Sequence, residues 1–205
     1  MRAAPIPYVR NFVWVLVLEC TWAVGTWLSS PITVLPQFLL RLGGTAAWVS
    51  LLPGLWALGT GLGALFLGPL VAHRRRVARF AGWLHYVALL AWPLLGGVAW
   101  AVHAGWLPPS AGLPLSLAVL LAFDVMMGVL MQLYFLMLSR VFPERGRGRW
   151  FSALFAVSSV VGLLGPVIAA RWFIREDAGL DDYGNLFVTT GALFAAGSFA
   201  CFRLV

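Results

Sequence analysis

Apolar residues come in long runs along this chain, and each run ends at a short polar or turn-forming stretch. The first covers about 12–40, interrupted by Pro31 and Pro36, and Gly43-Gly44-Thr45 turns the chain after it. The second, 47–71, ends at His73-Arg74-Arg75-Arg76-Val77-Ala78-Arg79. The third, 80–102, is followed by Trp106-Leu107-Pro108-Pro109-Ser110, a loop by its proline content. The fourth, 113–142, stops at Pro143-Glu144-Arg145-Gly146-Arg147-Gly148-Arg149. The fifth, 150–173, gives way to a hydrophilic loop from Arg175 to Asp182, and the sixth covers 185–204. Roughly 20 apolar residues in helical conformation cross the hydrocarbon core. The pattern therefore predicts one all-α, polytopic membrane domain over 1–205, with six transmembrane helices.

Composition agrees. Of the 205 residues, 61% are hydrophobic and 10% charged, far from the quarter or so charged in soluble domains. Mean hydropathy is +0.91. All 14 basic residues are arginine, and the net charge is +7. In a soluble protein such an excess points to nucleic acid. Here too few polar residues remain to build a soluble basic surface, so no nucleic-acid partner is expected. The partner is the lipid bilayer. Cys20 and Cys201 lie at opposite ends in apolar surroundings, which excludes a disulfide framework and a cysteine zinc site. The first apolar stretch is too long for a signal peptide and lacks a small-residue cleavage site.

Arginine placement orients the helices. With the N-terminus inside, eleven arginines fall on inner segments, and only Arg41, Arg171 and Arg175 fall outside. That is a strong positive-inside bias. Both termini are expected in the cytoplasm. The lysine-free, arginine-rich usage is that of a GC-rich genome, and a bacterial inner membrane is the expected location.

Ionisable groups within spans mark functional sites by default. Glu19 lies in the first predicted span and Asp124 in the fourth. A central carboxylate costs about 2.5 to 3.5 kcal/mol on insertion scales, so each is protonated, or faces water or a cation. At 100° per residue, Glu19, Ala23, Thr26, Ser30, Thr33 and Gln37 fall close to one face. That polar stripe reads as a cavity wall; the bland alternative is hydroxyls bonded to their own backbone. In the fourth span Asp124, Gly128, Met131 and Phe135 share a face, flanked by Gln132 and Tyr134. By helix rise Asp124 lies about 24 Å from Arg140, and Glu19 about 13 Å from Arg10. The two acids read as separate stations on one path rather than a dyad. His85 is a possible proton relay or a simply accommodated histidine. Gly59 and Gly63 form a Gly-x-x-x-Gly pair suited to close helix packing. No nucleophile-base spacing, metal-ligand spacing or His-Glu-x-x-His pattern is present. Neither an enzyme nor a cofactor is expected.

Six spans with basic loops after the second and fourth resemble the N-terminal half of a major facilitator superfamily transporter. Gly68-Pro69-Leu70-Val71-Ala72-His73-Arg74-Arg75-Arg76 is similar to that family's loop between the second and third helices. Gly68 and Arg76 match, whereas Ala72 and Arg75 replace its aspartate and second glycine. Pro143-Glu144-Arg145-Gly146-Arg147 resembles its fourth-to-fifth loop. Gly162-Leu163-Leu164-Gly165-Pro166 resembles the Gly-Pro motif of its fifth helix, followed here by Ala169-Ala170 rather than glycines. The resemblance implies a half-transporter working by alternating access, with first and fourth helices lining a central cavity. Glu19, Thr26, Ser30, Asp124, Met131, Gln132 and Tyr134 are then expected to line it or couple protons. Gly68, Arg74, Arg75 and Arg76 are expected in a cytoplasmic gating loop, and Gly162, Gly165 and Pro166 in the fifth-helix motif. The resemblance also implies a second six-helix half, from a second copy or a separate chain, and a small solute moved with protons. Trp22, Trp27, Met127 and Phe135 suit an amphipathic solute. A transporter-derived scaffold that moves nothing is the alternative.

Overall fold

The computed structural model describes residues 6–71, 76–175 and 177–204. These residues are helical and contain six helices long and apolar enough to cross a membrane. The spans are Tyr8–Leu28, Ala46–Leu67, Val77–His103, Pro109–Val141, Arg147–Phe173 and Leu180–Phe202. The chain is an all-α protein with the make-up of an integral membrane protein.

The first predicted span is two helices. The helix Ile6–Leu28 ends just before Ser29, and a short helix Val34–Arg41 follows a turn. Pro31 has no amide to continue the ladder, and it disfavours helical geometry at Ser30. The turn is closed instead by the Ser30 carbonyl, which accepts from Val34 N–H at 2.9 Å and Leu35 N–H at 3.0 Å. The short helix buries Leu35, Phe38 and Leu39. Phe38 meets Tyr183 and Phe187 of the sixth span at ring separations of 5.6 and 4.9 Å.

Two other boundaries move outward for physical reasons. The fourth span starts at Pro109, inside the expected loop, because proline is well tolerated in a first helical turn. The sixth starts at Leu180, so Asp181 and Asp182 belong to its first turn. Acids are favourable there, and Asp182 accepts the Gly179 N–H at 2.9 Å. Asp181 also lies 3.5 Å from His103 at the end of the third span. The second and fifth spans are irregular in the same way. Each carries a Gly-Pro step and a widened π-helical turn, at Gly63–Leu67 and Ala169–Phe173.

The packing has a repeat that the sequence does not display. The first span lies against the fifth and sixth, the fourth lies against the second and third, and the third lies against the sixth. Exchanging spans one to three with spans four to six leaves this set of contacts unchanged. The principal neighbours of spans one to three thus correspond to those of spans four to six. The apolar interior forms two stacked layers. One joins Leu28, Phe38, Leu95, Leu130 and Phe187, and the other joins Leu18, Ala81, Leu133, Leu138, Leu154 and Cys201. The second span contributes little to either; its buried residues are Gly59, Gly63 and Gly68.

Candidate functional site

The fourth span is the pivot of the candidate site, because its polar residues turn towards two different neighbours. Asp124, Gly128 and Gln132, spaced by four, form the face towards the second span. A side-chain carbon added at Gly59 would meet the Asp124 Cβ at 2.5 Å, and one added at Gly63 would collide with the Val125 carbonyl oxygen. Two backbones approach this closely only where both surfaces are small. Gln132 Nε2 donates to the Ala64 carbonyl at 2.9 Å, and its amide covers Gly68. Asp124 is 7% exposed, and its carboxylate makes no hydrogen bond or ion pair with a described residue.

Tyr134 faces the first span instead. It interacts with Glu19 across the contact between the first and fourth spans. Its buried hydroxyl nevertheless falls short of hydrogen-bond geometry with any described group. The carboxylate and the phenol face each other without a formed hydrogen bond. Tyr134 is ten residues from Asp124, so Glu19 and Asp124 sit about 15 Å apart in depth by helix rise. The acids are separate stations in depth, and Asp124 faces away from Glu19, against the second span.

The stripe expected on the first span is broken. Ala23 packs on the fifth span, Thr26 is exposed and Ser30 is buried in the turn. The Ser30 hydroxyl accepts the Ile32 amide at 3.3 Å, a local backbone role. Gln37 belongs to the short helix, where it accepts from the Tyr183 hydroxyl at 3.4 Å. Glu19 and Thr26 thus remain available to a cavity, while Ser30 does not. Met131 and Phe135 are 42% and 50% exposed and lie on the outward side of the fourth span.

Gly162 and Gly165 receive the first span. Added carbons there would meet Ala23 Cβ at 3.2 Å and the Val24 carbonyl at 2.5 Å, and Pro166 points outward. Of the expected gating loop, Gly68 and Arg76 are placed, whereas Arg74 and Arg75 lie outside the described residues. His85 is held by its own helix, with Nδ1 2.7 Å from the Ala81 carbonyl and Trp22 against its ring edge-on. That is the accommodated reading of the two.

Sequence reasoning missed Asn11, which is 1% exposed and donates to the Val141 carbonyl at 3.4 Å. An asparagine one residue after an arginine near a span end resembles any interfacial polar residue, so only the fold reveals it. Among the described residues no group of three His, Cys, Asp or Glu side chains could hold a metal ion. Family models, curated proteins and solved structures all lack a match to this chain. The fold and the site define a six-span helical membrane protein with two intramembrane carboxylates.

Proposed function

We propose that this chain is a six-helix half of a secondary transporter, moving a small amphipathic solute by alternating access coupled to protons. One observation carries the reading. The first and fourth spans occupy equivalent places in the matched packing, and each holds one of the two acids lying away from span ends. Inverted repeats, with coupling sites on equivalent helices, suit rocking between two access states. The glycine contacts beneath the second and fifth spans support sliding without loss of packing. Glu19, Asp124, Gln132 and Tyr134 are the residues assigned to proton and solute handling, with Thr26 and Met131 at the open side. The major facilitator resemblance of the loops points the same way.

In this reading the cavity closes against a second six-helix unit, from another copy or a separate chain. The membrane is a bacterial inner membrane, and both termini are cytoplasmic. The test has two parts. Mass measurement in native-lipid nanodiscs is expected to show a dimer or a complex with a second polytopic chain. In proteoliposomes under a pH gradient, the same assembly is expected to accumulate an amphipathic solute from a panel of cationic, neutral and anionic probes. Glu19→Gln and Asp124→Asn are each expected to abolish that coupled movement while insertion is unchanged. If both variants transport like the wild type, the coupling assignment is wrong. A tight complex that moves no solute supports the scaffold reading instead.

A further inference from the structure

The arginines at one end of the bundle have different tasks. Arg147 Nη2 donates to the carbonyls of Ser139 and Phe142, at 2.9 and 3.2 Å, and so caps the fourth span. Asn11 serves the Val141 carbonyl beside them. Arg203 lies over the Trp14 ring at 5.3 Å. Arg76, Arg79 and Arg140 line an open cleft of about 430 Å³ where the third, fourth and sixth spans come together. The other described lining residues are Val77, Ala78, Met137, Val141 and Leu204, and among them no side chain is acidic. Val77, Met137 and Val141 are buried, so the floor is apolar and the rim is cationic.

The charge is convergent rather than scattered. Arg76 and Arg79 come from the start of the third span and Arg140 from the end of the fourth. Guanidinium groups offer forked donors that match phosphate oxygens. A rim of three, over an apolar floor at the end of membrane-spanning helices, matches a group that is anionic at one end and aliphatic at the other.

We infer that the Arg76–Arg79–Arg140 cleft binds the headgroup phosphate of an anionic phospholipid, with the start of the acyl chains on Met137, Val141 and Leu204. The ligand comes from the leaflet that surrounds this end of the bundle. A freely diffusing phosphate shares the anionic chemistry but leaves the apolar floor unused. The inference does not depend on transport, and lipid retention is read by mass, so either proposal can fail alone.

The full chain is purified in mild detergent and offered phosphatidylglycerol and phosphatidylcholine together, and retained lipid is weighed by native mass spectrometry. Preferential retention of phosphatidylglycerol is expected. It is expected to fall about fivefold per arginine neutralised, and on the order of a hundredfold in the Arg76→Gln, Arg79→Gln, Arg140→Gln triple variant. Arg171→Gln with Arg175→Gln, at the other end, is expected to change nothing. Equal retention of the two lipids, or full retention by the triple variant, overturns the site. Retention of inorganic phosphate or glycerol phosphate in place of lipid overturns the lipid assignment. A photoactivatable phosphatidylglycerol provides the readout on the wild-type chain should the triple variant not fold. Its adducts are expected on peptides containing Ala78 or Met137, and adducts confined to other spans overturn the proposal.

Discussion

The second span lies on the fourth as the fifth lies on the first, yet the two contacts are made of different chemistry. Between the fifth and first spans, glycines meet Ala23, Val24, Trp27 and Leu28, and no neighbour carries an ionisable group or a side-chain amide. Between the second and fourth, glycines meet Asp124, the Val125 backbone and Gln132, so the same close approach buries a carboxylate and sets an exposed amide on a backbone carbonyl. Gln132 is satisfied by the Ala64 carbonyl, whereas Asp124 has no partner among the described residues. Equivalent backbone geometry therefore serves stability on one side and holds an uncompensated acid on the other. Such an acid is costly in a membrane and is retained where function needs it.

Substitutions that treat the two contacts alike separate these roles. The largest effect is expected at Gly63→Ala, because the new methyl meets the Val125 backbone carbonyl, which cannot rotate away. A loss near the top of the overpacking range, about 3 kcal/mol, is expected in thermal unfolding followed by circular dichroism. Asp124→Asn is expected to do the reverse, raising stability by about 2 kcal/mol at neutral pH, since an isosteric neutral amide replaces an unpartnered acid. A lower unfolding temperature for that variant would reveal a stabilising partner for the carboxylate. Gly162→Ala is expected to cost about 1 kcal/mol or less, because only Ala23 and the Trp27 ring must give. Gln132→Leu removes one interhelical hydrogen bond and is expected to cost about 0.6 kcal/mol. If Gly63→Ala proves as mild as Gly162→Ala, the two contacts are not different in kind.

Much of the fold was readable from the apolar runs. All six spans appear, and five of them start three to five residues earlier than their apolar runs suggest, at Tyr8, Val77, Pro109, Arg147 and Leu180. Helix starts accept prolines, arginines and acids that look like loop residues in isolation. The break at Ser29–Thr33 was less legible. Pro31 and Pro36 were visible, but Pro114 stands in the fourth span without ending it. Pro114 lies just inside a 33-residue helix and costs it one ladder bond, whereas Pro31 follows a full-length helix and meets a serine ready to close a turn.

The candidate site divides along the same line. Sequence periodicity grouped Asp124 with Gly128, and the fold keeps them together against the second span. Periodicity also ran Glu19 through Ser30 to Gln37, and the turn separates them. The partner of each residue lay beyond any local signal: Glu19 with Tyr134, Gly59 with Asp124, Asn11 with Val141.

Hydrophobic content, run length and arginine bias by themselves determined that this is a six-span helical membrane protein, because the bilayer forces every backbone group into regular helix. They also placed two carboxylates inside it. The matched pairing of the spans, the burial of Asp124 against glycine, and the gathering of Arg76, Arg79 and Arg140 around one cleft were decided only by tertiary packing. These relations join residues tens of positions apart. Which helix faces lie together depends on the shapes of all six spans at once, and no local pattern carries that information.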